Sequence, residues 1–466
     1  MTSAILRDAK SSRKPNCSSQ IPRSVAMTLI ETVDAAHYFE PKSPELSSQS
    51  ISAMARGMVG SEILRIAGNV RTLQAQGRTV CNFTVGDFAP SQFPIPEALR
   101  DAAIESYSAG RTNYPPAEGV MALRKAVLDH YERRLGLRYP LESIQIISGA
   151  RPGLYAAYGV LIDPGETVVY PVPSWNNNHY AYLCGSKAIE VPTRPEDGFL
   201  PTAELLAPFI QEARLISINS PLNPAGTMIS PEELRKISEL IVNENNRRKE
   251  LGLRLLYLVY DQIYWELQLG DIRHVTPVEV MPEMSAYTIF IDGISKSWSA
   301  TGLRVGWVVA PPHITDRIKA FLNHVGAWAP HPEQEATAHI LNSIDVLDDF
   351  YAHMHNEVRA RLNLIYNAVQ EMKAAGLPVD AIAPQGAIYL STQFDLVGKS
   401  LDGVPITSNA QIGDILLEQA GVALVPFQAF GLRQETGWMR LSVGAVSIAD
   451  VEQCIPRMRA ILERVK

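Results

Sequence analysis

The chain has 466 residues, of which 46% are apolar and 20% are charged, and its formal net charge at pH 7 is −7. This composition is typical of a globular protein with room for about two to four domains. A modest negative charge without a Lys/Arg cluster argues against a nucleic-acid-binding protein, and no apolar stretch approaches the roughly 20 residues that span a bilayer.

The four cysteines are widely spaced and form no CxxC pair. This pattern argues against a zinc site or a disulfide framework and favours a reducing, cytoplasmic location, and no metal site is expected. Residues 1–26 are rich in Ser, Lys and Arg, which is typical of a disordered tail or of an overlong start ahead of Met27. A transit peptide is the alternative. We predict a disordered extension over residues 1–48.

Residues 49–94 are predicted to form an N-terminal arm and part of a small domain. The run 60–73 has the period of an amphipathic helix, whose apolar face consists of Ile63, Leu64, Ala67, Val70 and Leu73. Val80–Val85 then has the composition of a short strand, which ends before Gly86.

Residues 95–345 alternate between helical and strand patterns, and we assign them to one large domain. Seven short segments are almost unbroken in hydrophobicity: Ile144–Ile147, Thr167–Val169, Ala188–Val191, Leu215–Ile218, Leu255–Tyr260, Thr288–Ile291 and Val305–Val309. Strands that are apolar on both faces indicate a sheet covered by helices on both sides. The sequence therefore predicts an α/β domain with a mainly parallel seven-stranded sheet.

Two further segments complete the organisation. The polar stretch 243–252 is interpreted as an exposed helix end or loop. From residue 346 a long helical pattern, Asp349–Ala374, leads into short strands and helices. Residues 346–466 are therefore predicted to form a smaller α+β domain.

One lysine, Lys296, lies among small and hydroxyl-bearing residues in the segment DGISKSWSATGLRVGW (292–307). Such surroundings remove hydration from an ammonium group and lower its pKa, and an unprotonated amine is what attacks an aldehyde to form a Schiff base. Ser295, Ser297 and Arg304 in the same segment could bind a phosphate. A structural lysine in a serine-rich turn is the alternative, and this segment alone does not decide between the two.

Polar side chains follow two other apolar strands. Asp261 ends the strand 255–260, where α/β sheets place their ligands, and a carboxylate there can pair with a protonated pyridine nitrogen. Tyr264 could donate a hydrogen bond to a phenolic oxygen on the same ring. Asn223 is held in a stiff turn by Pro224 and suits the same oxygen. The alternatives are an acidic helix cap at Asp261 and an ordinary Asn-Pro turn.

A third strand runs through Gly149, Ala150 and Arg151 into a predicted helix, whose free N–H groups make a phosphate site. The sequence there is neither GxGxxG nor a P-loop. Trp175, which also follows a strand, could stack on a flat ring or pack in its proline-rich turn. In the C-terminal domain, Arg440 starts a short apolar strand and could grip a carboxylate with two hydrogen bonds, although a solvated arginine is the alternative.

In this order, the motifs resemble the class I/II aminotransferases, which are fold-type I enzymes dependent on pyridoxal 5′-phosphate (PLP). The resemblance covers nearly all of residues 49–466, and SKSWSATGLRVGW (295–307) is its most specific match. It implies that Lys296 forms the Schiff base with PLP and later moves a proton between the substrate Cα and the cofactor. It further implies that Asp261 contacts the pyridine nitrogen, and that Asn223 and Tyr264 contact the phenolic oxygen.

The resemblance assigns the remaining site residues as well. Trp175 would stack on the ring, and the phosphate ligands would be Gly149, Ala150, Arg151, Ser295 and Arg304. Arg440 would grip the substrate α-carboxylate, with Gly86, Trp175 and Asn223 beside the substrate. Tyr114, in TNYPPAEG (112–119), would reach the phosphate of a neighbouring subunit, which implies a homodimer with shared active sites. PQGAIYL (384–390) and VPFQAFG (425–431) match the small domain of the family.

Three departures from the family pattern are visible. Ala150 stands where many members have glycine, and the interval from Asn223 to Asp261 is lengthened by the 243–252 stretch, interpreted as a surface insertion. No second cationic residue can be placed for a distal carboxylate, and Arg56, Arg151 and Arg433 are candidates by residue type only.

The expected activity is transfer of the amino group of an L-amino acid, with aspartate-like substrates favoured by analogy, to a 2-oxo acid such as 2-oxoglutarate. A PLP-dependent β-eliminating lyase or a cyclopropane-forming synthase on the same fold is the alternative. A ligand-sensing regulator is not favoured, because residues 1–48 are too short and too poor in basic helices for a DNA-binding domain.

Overall fold

A computed structural model describes residues 32–39, 43–60, 62–270 and 272–466. The chain divides into a unit up to Met58 and a unit from Val59 to Lys466. The first unit contains a 3-10 turn and two helices with exposed side chains: Ala35–Tyr38, α1 (Pro44–Gln49) and α2 (Ala53–Arg56). Most of the predicted disordered extension, residues 1–31 and 40–42, lies outside the described residues. The domain boundaries derived from the sequence stay predictions.

The second unit begins with elements that precede the main sheet: α3 (Glu62–Ala75), β1 (Cys81–Asn82), α4 (Glu97–Ser108) and α5 (Met121–Leu135). The central elements are β2 (Ile144–Ile147), α6 (Ala150–Leu161), β3 (Thr167–Val172), α7 (Asn177–Leu183), β4 (Lys187–Pro192), α8 (Ala203–Leu206), β5 (Ala213–Asn219), α9 (Pro231–Glu250), β6 (Tyr257–Asp261), α10 (Pro277–Val280), β7 (Thr288–Gly293), α11 (Ile294–Ser297), β8 (Gly306–Val309), α12 (Pro312–Val325) and α13 (His331–Leu341). The C-terminal elements are α14 (Ile344–Ala374), β9 (Val379–Ala381), β10 (Tyr389–Phe394), β11 (Ser400–Leu401), β12 (Val404–Pro405), α15 (Asn409–Ile415), a π-helical turn (Leu416–Ala420), β13 (Val422–Ala423), β14 (Val425–Pro426), β15 (Trp438–Ser442) and α16 (Ile448–Leu462).

Seven strands form the central sheet in the order β2-β8-β7-β6-β5-β3-β4. Only β8 in this sheet runs antiparallel to its neighbours. Alternate residues of β6 pack into different cores, Leu258 and Tyr260 on one face and Tyr257 and Val259 on the other. The sheet is therefore buried on both faces, and the predicted α/β fold with a mainly parallel seven-stranded sheet is confirmed.

The parallel strands bring the motif segments to one edge of this sheet. β2, β3, β5, β6 and β7 point the same way, and their carboxyl ends lead into the segments at 148–151, 173–175, 220–224, 261–264 and 294–297. Ligand sites of open α/β sheets lie at this edge. The helix positions after these strands follow from the same topology, because a parallel crossover needs a covering helix.

A second, four-stranded antiparallel sheet has the order β14-β15-β10-β9 and packs against α14 and α16. β1 pairs in parallel with β13, so the segment around residue 82 lies beside the C-terminal elements. The long helix α14 begins at Ile344, five residues before the predicted Asp349. Among the described residues, no helix is both long enough and apolar enough to cross a membrane.

Two local predictions need correction. The strand predicted over Val80–Val85 is limited to Cys81–Asn82, because Thr84 donates its N–H and hydroxyl to the Asn82 side chain and turns away from the ladder. The polar stretch 243–252 contains the exposed end of α9, as predicted, but its first half is partly buried, and the surface insertion stays a prediction. Arg248 is buried and bonds to Glu244 and to the carbonyl of Ala213, and Asn245 pairs with the backbone of Leu256.

Candidate active site

Lys296 lies in the single helical turn α11 that follows β7. Its Nζ donates a hydrogen bond of 2.6 Å to the carbonyl oxygen of Gly86. Burial lowers the pKa of Lys296 to about 8; the charge of Asp87 opposes this shift, while the charges of Arg440, Arg151 and Arg304 add to it. At neutral pH a useful fraction of this amine is therefore unprotonated, which is the form that acts as a nucleophile or a base.

We expect trace acetic anhydride to label Lys296 of the cofactor-free protein with a midpoint near pH 8, because the reagent attacks only unprotonated amines. Lys236 is the control, since its contact with Glu232 raises its pKa above the ordinary 10.5. Mass spectrometry of the two peptides across a pH series measures both midpoints. A Lys296 midpoint as high as that of Lys236 would refute the lowered pKa.

Asp261 is the last residue of β6 and is buried. Its Oδ1 accepts a hydrogen bond of 3.2 Å from the N–H of Ile263, and no cationic group among the described residues pairs with it. Burial raises the pKa of this carboxyl to about 7, against the opposing effect of the Ile263 N–H. A buried carboxylate without a cation is costly, so the charge of this position favours a cationic partner.

Arg440 lies in the middle of β15 and is 1% exposed, so the alternative of a solvated arginine is wrong. Its two terminal nitrogens donate to the carbonyl oxygen of Thr84 at 2.7 Å and to Oδ1 of Asn223 at 3.0 Å. Nε has no partner among the described residues. The guanidinium also lies over the rings of Tyr389 and Phe430, 4.8 and 4.9 Å from their centroids.

Asn223 is held by the turn that follows β5. Its backbone N–H donates to Oδ1 of Asn219 at 2.7 Å, and Nδ2 of Asn219 donates to the carbonyl oxygen of Asp261 at 2.8 Å. The turn is therefore tied to the end of the neighbouring strand β6. Because Asn223 also accepts the hydrogen bond from Arg440, one chain of contacts joins Arg440 to Asp261.

Tyr264 follows Asp261 by three residues, and its hydroxyl lies 2.6 Å from the hydroxyl of Tyr389. Both phenols are buried, and burial raises the pKa of each above its usual value. A Cβ added at Gly86 would lie 2.9 Å from the Tyr389 hydroxyl and 3.5 Å from a terminal nitrogen of Arg440. Gly86, Tyr389 and Arg440 therefore converge, and the glycine leaves room for the side chains around it.

The N-terminus of α6 has the features of an anion site. Gly149 precedes the helix with a φ of 78°, and a Cβ there would collide with the Arg304 guanidinium. Arg304 donates to the carbonyl oxygens of Ser148 and Thr301 at 2.9 and 2.7 Å. Ser295 is buried, and its Oγ has no partner among the described residues. A guanidinium, the free N–H groups of a helix start and an unsatisfied hydroxyl suit a phosphate.

Three other residues that the sequence analysis named, Trp175, Tyr114 and Arg433, have the following surroundings. Trp175 is half-buried, with the Arg151 guanidinium 5.0 Å from its ring centroid. Tyr114 is 79% exposed and packs edge-on against Trp328. Arg433 is exposed and pairs with Glu190 at 3.0 Å.

Ser297 donates weakly to the carbonyl oxygen of Gly293, at 3.4 Å. Arg56 lies in the first unit of the chain. The sequence analysis did not name Thr84, Asp87 or Tyr389 as site residues. Of these three, Tyr389 alone lies in a motif that the sequence analysis quoted, PQGAIYL.

Comparison with known proteins decides the family. The model of the family "Aminotransferase class I and II" matches residues 78–458. The chain belongs to this family. The predicted resemblance is therefore confirmed. Like other class I and II aminotransferases, the protein depends on pyridoxal phosphate, transfers amino groups, and acts on amino acids and 2-oxo acids.

Relatives of known name support this assignment. The chain is 28% identical to an aspartate aminotransferase of Rhizobium meliloti (strain 1021), over 94% of this chain and 100% of the relative. It is 29% identical to a probable aspartate/prephenate aminotransferase of Aquifex aeolicus, over 87% of this chain and 96% of that one. The crystal structure of the aspartate aminotransferase from Rhizobium meliloti matches with a TM-score of 0.81 at 26% identity, over 89% and 99% of the two chains. The aspartate aminotransferase from Thermus thermophilus with maleate matches with a TM-score of 0.77 at 25% identity, over 88% and 99%.

Proposed function

We propose that this aminotransferase takes the amino group from an acidic, aspartate-like L-amino acid and passes it to a 2-oxo acid such as 2-oxoglutarate. The observation that carries the proposal is the convergence of Lys296 and Arg440 on one backbone segment. Lys296 donates to the Gly86 carbonyl, and Arg440 donates to the Thr84 carbonyl two residues earlier. A reactive amine and a carboxylate-binding fork therefore face the same small space.

The cofactor fits the residues around this space. Asp261 would hold the protonated pyridine nitrogen, which supplies the cation that its buried carboxylate lacks. Asn223 and Tyr264 would contact the phenolic oxygen, and Trp175 would stack on the ring. The phosphate would lie at the start of α6, held by the N–H groups of residues 149–151 and by the side chains of Ser295 and Arg304.

Each residue then has a task in the reaction. When bound, pyridoxal phosphate withdraws electron density from the substrate Cα and so makes its proton removable. Lys296 would hold the cofactor aldehyde and would carry the proton between the substrate Cα and the cofactor C4′. A pKa near 8 suits this task, because the amine can both accept and return a proton near neutral pH.

Arg440 orients the substrate for this proton transfer. A guanidinium fork binds the α-carboxylate with two parallel hydrogen bonds, which fixes the direction of the Cα–H bond relative to Lys296. The fork is itself held by Asn223 and Thr84, and it lies on aromatic rings that prevent it from swinging away.

Arg151 is our candidate for the distal carboxylate of an acidic substrate. Its charge contributes to the lowered pKa of Lys296, so it lies within electrostatic range of the reactive amine, and its side chain is exposed above Trp175. Arg433 instead pairs with Glu190. The structure of the aspartate aminotransferase from Thermus thermophilus is with maleate, which is a dicarboxylate, and this supports an acidic substrate for the present protein.

Assay of the purified protein against a panel of amino donors with 2-oxoglutarate tests the substrate. We expect aspartate to give the highest kcat/KM, and Arg151→Leu to lower kcat/KM for aspartate by roughly ten- to a hundredfold while changing that for alanine little. Arg433→Leu is the matched control and should leave both values unchanged. If Arg151→Leu releases the cofactor and affects all donors alike, then Arg151 belongs to the phosphate site.

We also propose a homodimer in which Tyr114 completes the site of its neighbour. The support is that the Tyr114 side chain, which contacts Trp328, is 79% exposed in the single chain. A large aromatic side chain exposed to this extent is available for contact with a second subunit. The cytoplasmic location, predicted from the cysteines, stays a prediction.

Subunit exchange tests the shared site. When a Lys296→Ala chain is mixed with a Tyr114→Ala chain, each hybrid dimer has one site with both defects and one with neither. Random pairing makes about half of the dimers hybrids, so activity should rise to roughly a quarter of the wild-type value. The test requires that Tyr114→Ala alone retains well below this level. Activity no higher than the mean of the two parents, after proven exchange, would place Tyr114 in its own subunit's site.

A further inference from the structure

We propose that Tyr389 is a positioning residue that couples Tyr264, at the cofactor ring, to Arg440, at the substrate carboxylate. The inference rests on the proposed function, because it takes Tyr264 and Arg440 in the roles given above. Tyr389 begins β10, and its side chain is fully buried in the apolar core that surrounds α14 and α16. A phenylalanine would fill this space equally well, so packing alone does not account for the hydroxyl.

The hydroxyl of Tyr389 contacts Tyr264. The two oxygens are 2.6 Å apart, so one phenol must donate to the other. If Tyr264 gives its own proton to the phenolic oxygen of the cofactor, its oxygen is left to accept from Tyr389. Hydrogen bonds in such a chain polarise one another, so donation from Tyr389 makes Tyr264 a stronger donor.

The ring of Tyr389 contacts Arg440. The guanidinium centre is 4.8 Å from the ring centroid, at the distance of a cation–π interaction. The same phenol lies against Gly86, whose carbonyl accepts the hydrogen bond from Lys296. The buried side chain of Tyr389 therefore contacts both groups. Its hydroxyl contacts Tyr264, which is assigned to the cofactor, and its ring contacts Arg440, which is assigned to the substrate.

Two substitutions separate these contacts. Tyr389→Phe removes the hydroxyl and keeps the ring, whereas Tyr389→Leu removes both. The first readout is the pH at which the visible absorbance band of the cofactor bound to Lys296 is half converted. A donor to the phenolic oxygen favours the deprotonated form of this chromophore, in which more negative charge lies on that oxygen. Loss of the donor therefore raises the midpoint.

We expect Tyr264→Phe to raise this midpoint, and Tyr389→Phe to raise it by a smaller amount of roughly half to one pH unit, which corresponds to one hydrogen bond. In the double variant, Tyr389→Phe should add no further shift, because its effect passes through the Tyr264 hydroxyl. The second readout is the KM for the amino donor. It should stay within about twofold in Tyr389→Phe and rise roughly two- to fivefold in Tyr389→Leu.

Tyr366→Phe is the matched control, because Tyr366 packs against the same core from α14 and has no place in the proposed site. It should change neither readout. A shift in Tyr264→Phe without one in Tyr389→Phe, or full additivity in the double variant, would overturn the coupling and leave the proposed function intact. If Tyr264→Phe causes no shift, the role of Tyr264 fails first. An unchanged KM in a folded Tyr389→Leu would overturn the contact with Arg440, and if that variant does not fold, the Phe variants decide.

Discussion

Lys296→Ala is expected to lower kcat for transamination by at least roughly a thousandfold, because in the proposed function Lys296 both attaches the cofactor and moves the Cα proton. The fold should persist, since the side chain makes one hydrogen bond to the part of the chain that the structure describes, to the carbonyl of Gly86. Turnover with 2-oxoglutarate and an amino donor measures the loss. Lys236→Ala is the matched control, because Lys236 is an exposed lysine paired with Glu232 and should retain full activity.

The same assignment predicts a covalent product. The purified wild-type protein should be yellow, and borohydride should fix the cofactor on Lys296, where peptide mapping finds it. The lowered pKa of this amine makes it the favoured site of attachment under neutral conditions. A reduced adduct on a different lysine, or turnover that survives in Lys296→Ala, would show that another residue performs these tasks.

Much of the candidate site could be predicted because its residues follow strands. Asp261 directly follows a run of apolar residues, Asn223 and Lys296 come a few residues after such runs, and the parallel strands bring the ends of those runs to one edge. Each of these segments is short and follows its own strand, so the order of residues along the chain was enough to indicate them as candidates. Lys296 and Asp261 stood out for the same reason, because a charged residue is seldom fully buried without a partner, although the buried Asp292 at the end of β7 shows that such a position does not by itself make a site.

Other parts depend on contacts between residues far apart in the chain. Tyr389 and Thr84 gave no chemical signal, because their roles come from the pairing of β10 with β15 and from the position of the 84–86 segment beside Arg440. The burial of Arg440 in the middle of a strand has the same origin. A short apolar strand has the same sequence pattern whether it lies at the edge of a sheet or between two partner strands, as β15 does.

The charged stretch 243–252 shows the limit of composition as a guide. Its residues are polar, yet Arg248 and Asn245 point inward and bond to the backbone of Ala213, which begins β5, and of Leu256, which precedes β6. Buried backbone carbonyls need donors, and side chains from a neighbouring helix can supply them. Composition reports the polarity of such residues, whereas the direction in which they point is set by the packing of α9.

Asp261→Asn is expected to leave pyridoxal phosphate bound, through Lys296 and the phosphate site, and to lower kcat on the order of a hundredfold or more. The reason is that an amide cannot keep the pyridine nitrogen protonated, and an electrostatic contribution of this kind is worth roughly 3 kcal/mol or more. Asp292→Asn is the matched control. Asp292 is a buried carboxyl on the adjacent strand β7, and its pKa is also raised by burial, to about 7. The loss of kcat in Asp292→Asn should be far smaller, because the Asp292 carboxyl accepts its hydrogen bonds from Tyr131 and Trp265 and has no role in the proposed site.

The cofactor-free protein gives a second, independent readout of Asp261. Burial raises the pKa of this carboxyl from the ordinary 3.8 to about 7. Between pH 3.8 and about 7 the folded state therefore keeps a proton on Asp261 that the unfolded state has released. Stability contributed by this group is therefore present below pH 3.8 and is lost as the pH rises to about 7. Asp261→Asn should accordingly stabilise the cofactor-free protein more at pH 8 than at pH 5, as measured by denaturant midpoints. An equal effect at both pH values would contradict the raised pKa, and a near-normal kcat in the holoenzyme would mean that another group holds the ring nitrogen.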